Sequence, residues 1–311
     1  MISRAVTGIV LLLGVHSLAL SSAVPADALR VVTTIPDLAD IVQKVGGEDV
    51  RVDCVARGTE DIHSVRLRPS HLVMTSRADL FVQVGLALEH AWVPGLVEVA
   101  RNRKLMEGGI LTIGDGWPHI LEVPKTLDRS AGVDLHPLGN PHINMHPEFG
   151  VFAAKKIRDR LKELRPDRSE SFDRNFAAYE KKVEQHAKRW KQAGEKLAGK
   201  KVVQYHKEFS YICKANGIIM RGALEPKPGV PPTPTHLTRM AKLMNAEGVK
   251  VVLHGTWTPG RVAEDAAARA GARALELNSM VQKGEGTWIG YMDNLHQELL
   301  AAWGLDLEDD T

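Results

Sequence analysis

The chain has 311 residues, which at about 150 residues per domain predicts two domains. Forty Lys plus Arg stand against 38 Asp plus Glu, for a net charge of +2, and the content is 44% hydrophobic and 25% charged. That is the make-up of an ordinary globular protein, and it disfavours a nucleic-acid partner and a disordered chain. Thirteen histidines against two cysteines mean that any transition-metal chemistry must be written mainly in imidazole rather than thiolate.

Residues 1–28 read as a secretory signal. Arg4 gives a basic start, Ala5 to Leu20 is mostly apolar apart from His16, and small residues follow at Ser21, Ser22, Ala23, Ala26 and Ala28. An apolar run of about 16 residues is short for a membrane span of about 20, so a cleaved leader and a periplasmic protein are expected. Export permits a disulfide, but Cys54 and Cys213 lie far apart in the chain, and two separate, partly buried thiols are expected.

The body alternates short β-rich runs with helical patterns, which predicts an α/β protein with parallel sheets flanked by helices. Expected strands are Leu29–Thr33, Val50–Val55, Leu80–Val84 and Ile110–Ile113, then Lys201–Tyr205, Val249–Leu253 and Ala274–Leu277. Two groups of strands imply two lobes: 29–147 and 200–311, with 148–199 linking them. Within that link, apolar residues recur at Phe172, Phe176, Tyr179, Val183, Ala187, Trp190 and Leu197, a spacing that fits one continuous amphipathic helix. Asp167 and Glu170 have the spacing of a capping box at its start. Such a helix either runs the height of both lobes or belongs to the core of one. The stretch Gly114–Pro147 has no periodicity, and Glu225–Pro234 is a stiff proline-rich loop.

His63 follows the second strand, His142 ends the long loop just before a helix, and His206 directly follows Tyr205. All three lie on the carboxyl-end side of strands or at helix starts, where open parallel sheets bind ligands. Three imidazoles plus one oxygen suit tetrahedral zinc. An isolated loop histidine is more often a cap or a solvated side chain, and neither H-E-x-x-H nor C-x-x-C is present, so spacing alone does not establish a site. His136 and His146 flank His142 and are either an auxiliary weak site or solvated loop residues. Glu89, before His90 and Trp92, is expected to cap and pack a helix. Trp257 and Trp288 are expected in the core unless they edge the cleft.

The chain resembles the zinc- and manganese-binding solute-binding proteins of ABC importers, the cluster A-I or ZnuA-like family. The match is carried by Arg68-Pro69-Ser70, Ala78-Asp79-Leu80, Gly85-Leu86-Ala87-Leu88-Glu89, Asn140-Pro141-His142, Tyr205-His206-Lys207-Glu208-Phe209-Ser210-Tyr211 and Tyr291-Met292-Asp293-Asn294-Leu295. The resemblance implies two lobes tied by one rigid helix, with metal held between them by His63, His142 and His206. It also implies a monomeric periplasmic receptor that does no covalent chemistry and delivers Zn(2+), or alternatively Mn(2+) or Fe(2+), to a permease in the inner membrane. Where the family closes its site with an aspartate, the aligned residue is Asn278, with Glu276, His254 or water as substitutes. Asn140 and His146 also replace frequent aspartates. The other readings are a zinc enzyme with three histidines and an open fourth position, and a divergent receptor for manganese, iron or a metal chelate.

Overall fold

A computed structural model describes residues 27–124, 136–282 and 286–307. The expected leader, apart from Asp27 and Ala28, and the middle of the long 114–147 loop lie outside the described residues. No helix among those described is long and apolar enough to cross a membrane.

Eight strands form two parallel sheets among the described residues. The first holds β1 (Leu29–Thr33), β2 (Val50–Cys54), β3 (Leu80–Gln83) and β4 (Ile110–Thr112) in the order β2-β1-β3-β4. The second holds β5 (Lys201–Gln204), β6 (Ile219–Ala223), β7 (Val251–Gly255) and β8 (Arg273–Leu277) in the order β6-β5-β7-β8. The central strands are runs of β-branched and apolar residues buried on both faces: Val31 and Val32 in β1, Val202 and Val203 in β5, and Val251 and Val252 in β7 are all buried. β6 has no counterpart among the strands expected from sequence. It is an edge strand in which Ile219 is 40% exposed and Arg221 and Gly222 interrupt any apolar run.

Helices cover the sheets: α1 (Pro36–Gly46), α2 (Pro69–Ser76), α3 (Val93–Ala100), α4 (Arg103–Met106), α5 (Phe149–Leu164), α6 (Ser169–Leu197), α7 (Ser210–Ala215), α8 (Pro234–Glu247), α9 (Gly260–Arg269) and α10 (Trp288–Ala301). The predicted long helix is α6, whose 29 residues give a length of about 44 Å. Its buried stripe is Phe172, Phe176, Tyr179, Val183, Trp190, Ala193 and Leu197, with Ala187 only partly buried. Near its start Asn175 Nδ2 donates to the Val45 carbonyl of α1 (3.0 Å), and further along Trp190 Nε1 donates to Asp293 of α10 (2.7 Å). One helix therefore touches both sheets' flanking layers.

The capping box does not form. Pro166 opens a 3-10 turn over Pro166–Arg168, which places Asp167 before the helix, and its carboxylate accepts from Arg165 Nε at 3.0 Å instead. The N-cap is Arg168, with no side-chain cap bond.

The apolar interior is continuous between the sheets. A single cluster joins Val31, Leu80 and Phe81 of the first sheet to Phe172 and Trp190 of α6, and on to Val202, Leu253, Leu277 and Trp288. Gly150 in α5 is a packing requirement: a Cβ there would stand 2.1 Å from Cζ3 of the fully buried Trp288. Trp288 Nε1 donates to the Asn144 carbonyl at 2.9 Å. Cys54 and Cys213 are both buried, and neither is in a disulfide.

Candidate metal centre

Every strand in both sheets runs parallel, so the loops leaving their carboxyl ends gather at one edge of each sheet. His63 sits in the turn after β2, where the Asp61 carboxylate accepts from the His63 backbone N–H (2.9 Å) and from the Ser64 hydroxyl (2.9 Å). Trp92 Nε1 holds the same turn through the Ile62 carbonyl at 2.8 Å. His142 ends the loop after β4, and His206 follows β5.

These three imidazoles converge, with one ring nitrogen from each lying within 4.8 Å of the others. Nε2 of His63 is 3.2 Å from Nε2 of His142. Two nitrogens bound to one tetrahedral ion at about 2.0 Å would stand about 3.3 Å apart, and their ring centres about 5.2 Å apart. The three ring-centre separations are 5.1 Å (His63–His142), 5.4 Å (His63–His206) and 5.2 Å (His142–His206). The spacing therefore fits a zinc-sized ion without rearrangement.

Two of the rings are fixed in the tautomer a metal requires. Asn140 Nδ2 donates to the Lys207 carbonyl (2.6 Å), which turns its Oδ1 toward His142 Nδ1 at 2.9 Å. An amide oxygen only accepts, so Nδ1 carries the proton and Nε2 offers its lone pair. Asn140 thus does with an amide what an aspartate would do with a carboxylate. For His206, the Glu225 carboxylate accepts from Nδ1 at 2.7 Å, and again Nε2 is left as the ligand atom. The sequence places Glu225 only at the start of the proline-rich loop, because β6, which leads into it, carries no strand pattern. Glu225→Ala is expected to weaken metal binding by about 10- to 100-fold in a chelator-competition titration.

Burial, and after it the neighbouring His206, pushes His63 down to about 4; burial and His63 hold His142 well below the ordinary histidine value. Metal binds the neutral ring, so protons compete at these two positions only at a pH well under the usual 6.5. In an NMR titration of the metal-free protein, the His63 ring proton is expected to move with a midpoint near 4. A midpoint near 6.5 would contradict the burial described.

Neither Asn278 nor Glu276 joins the three rings. Asn278 Oδ1 accepts from Gln282 Nε2 at 2.9 Å, and its side chain lines a separate surface cavity with Thr287, Tyr291 and Gln297. Glu276 is exposed on β8 opposite His254 of β7, and both lie near Gly260. The residue that turns inward is Ser279, whose hydroxyl donates to Glu208. Glu208 is buried, Trp257 Nε1 donates to its Oε2 at 2.7 Å, and its Oε1 makes no hydrogen bond among the described residues. Trp257 lines the cleft, with its ring centre 5.4 Å from that of His206, whereas Trp288 is core. Glu89 caps no helix with its side chain: its carboxylate accepts from the Val84 and Gly85 N–H groups (2.8 and 3.0 Å) and from Thr34.

His136 lies at the cleft, 4.9 Å from His63 between ring centres, and burial first, with His63 next, pushes it down to about 3. His146 does not: its ring stacks on His119 at 4.9 Å and its Nδ1 accepts from the Glu148 N–H at 3.2 Å.

A family model described as ZnuA, the periplasmic component A of a zinc-uptake complex, matches residues 31–302. The chain belongs to the ZnuA family. This ZnuA-family chain is 22% identical over 289 residues to the high-affinity zinc uptake system protein ZnuA of Bacillus subtilis, covering 88% of this chain and 86% of that protein. It is 29% identical over 203 residues to the manganese ABC transporter substrate-binding lipoprotein PsaA of Streptococcus pneumoniae, covering 64% of this chain and 62% of PsaA. A crystal structure of ZnuA shares its fold with a TM-score of 0.75 at 23% identity, covering 89% of this chain and 99% of that one. The manganese-bound periplasmic metal-binding protein of Candidatus Liberibacter asiaticus does so with a TM-score of 0.71 at 20% identity, covering 86% and 97%. The two-lobed α/β fold with its long linking helix is thus the fold of the ZnuA family.

Proposed function

We propose that this ZnuA-family chain is a periplasmic receptor that captures Zn(2+) between lobes 29–147 and 200–311 and passes it to the permease of an ABC importer. The observation that carries this reading is the convergence of His63, His142 and His206 at the spacing of a tetrahedral ion. Relatives named for zinc and for manganese both match, so the choice of metal rests on the ligands. Manganese prefers oxygen donors, and the three ligand atoms brought together here are imidazole nitrogens, which favour zinc. The relatives are named as uptake and substrate-binding components, which supports a receptor rather than an enzyme.

The test is metal content and zinc titration of protein made without a histidine tag. One equivalent of zinc is expected for the wild type, with binding lost in His63→Ala. Absence of zinc binding at micromolar concentration, or no effect of His63→Ala, would overturn the reading. Turnover of a hydrolase or hydratase substrate by the zinc-loaded protein, lost in His206→Ala, would count against a pure receptor.

A further inference from the structure

His136 stands apart from the other histidines outside the three-ring cluster. It lies on the stretch leading into Asn140, with its ring centre 4.9 Å from His63 and 6.3 Å from His142. Both of its ring nitrogens are shielded from solvent, and among the described residues neither has a hydrogen-bond partner of good geometry, the Ala87 backbone acting only weakly on the ring. A neutral imidazole has one N–H to donate and one lone pair to offer, and burying both unmet is unfavourable unless a partner outside the polypeptide takes one up. The nearby histidines show the contrast: His142 and His206 have their Nδ1 atoms engaged by Asn140 and Glu225, and His146 has its Nδ1 engaged by the Glu148 N–H.

The ring is also well placed. Two imidazoles on one tetrahedral ion have centres about 5.2 Å apart, close to the His136–His63 separation, while the distance to His142 exceeds this by roughly 1 Å. His136 lies outside the group of nitrogens that stand within 4.8 Å of one another, so ligation requires its side chain to move toward the three rings. Meanwhile Asn278 and Glu276 are turned elsewhere, and the buried carboxylate nearest His206 in sequence, Glu208, has one oxygen held by Trp257 and Ser279.

We propose that His136 is the fourth ligand of the cation held by His63, His142 and His206. The assignment rests on the metal-receptor reading above and adds to it a specificity: four neutral nitrogens and no carboxylate select a borderline ion such as zinc over a hard one such as manganese. The position filled by an aspartate in the resembled family is here filled from the long loop.

Cobalt(II) serves as a visible reporter of coordination in place of silent zinc. Wild-type protein titrated with Co(2+) is expected to show the intense visible absorption of a tetrahedral site, and His136→Ala to lose intensity and shift as water replaces nitrogen. Zinc affinity, measured by chelator competition, is expected to fall about 10- to 100-fold in His136→Ala, with a smaller change for Mn(2+). His146→Ala is the control and should match wild type in both measurements. His136→Gln, which keeps a polar side chain of similar length, should reproduce the loss, and the metal-free melting temperature reports whether either variant has disturbed the fold. If His63→Ala abolishes binding while His136→Ala leaves spectrum and affinity unchanged, the fourth-ligand assignment is wrong and the receptor reading stands. If the wild type binds neither Zn(2+) nor Co(2+), the receptor reading itself fails.

Discussion

His206→Ala is expected to reduce zinc affinity by at least about 100-fold, more than the loss of any single supporting hydrogen bond. His63 and His142 are both supplied by loops of the first sheet, whereas His206 is the member of the cluster delivered by the second. Its removal leaves an ion attached to one lobe only. The substitution also strands Glu225, whose side chain is 10% exposed and whose carboxylate accepts from His206 Nδ1. A poorly solvated carboxylate without its donor is unfavourable, so the metal-free variant should melt a few degrees below wild type as well. Zinc titration and differential scanning calorimetry on the same sample check both halves. Unchanged affinity would remove His206 from the site, and an unchanged melting temperature would show that Glu225 finds another partner or water.

Trp288→Ala is expected to cost about 3 to 5 kcal/mol of stability, because a fully buried tryptophan leaves a cavity that its surroundings only partly fill. For a chain of this size that corresponds to a fall in melting temperature of roughly 10 °C. The effect should reach the metal centre too. Trp288 Nε1 holds the Asn144 carbonyl, and the Asn144 side chain donates both to Asp37 Oδ1 of α1 (3.1 Å) and to the Ser279 carbonyl after β8 (2.9 Å). Asn144 lies two residues after His142. Loosening this joint is expected to weaken zinc binding several-fold even though no ligand is touched. A melting shift of less than about 2 °C would mean that the indole is not the packing element described.

Much of this arrangement was legible in the residues. Central strands carry buried apolar runs, Val31-Val32 in β1 and Val251–Leu253 in β7, because helices cover both faces, and the α6 stripe has a helical period over 29 residues. β6 was not legible, because half-exposed edge strands carry no continuous apolar run. His63, His142 and His206 could be placed at sheet edges from their positions after strands. Their convergence could not, since it depends on how the two sheets face each other. The expectation for Asn278 came from resemblance, yet the local pattern ran against it: Leu275 and Leu277 alternate with Glu276 and Asn278, so position 278 falls on the face opposite the buried leucine, and Ser279 turns inward. The orienting partners were least visible. Glu225 is 19 residues from His206 and belongs to a proline-rich loop whose path no periodicity records.

The uninterrupted apolar interior from Val31 through Trp190 to Leu253 and Trp288 has a mechanical consequence. Two bodies welded through a shared core cannot swing apart like the halves of a clamshell without exposing that core to water. Calorimetry is therefore expected to record one cooperative endotherm rather than two, and residues 200–311 expressed alone should aggregate. On the proposed reading, traffic of an ion into and out of such a site would fall to the loops at its rim, with the welded interior staying shut.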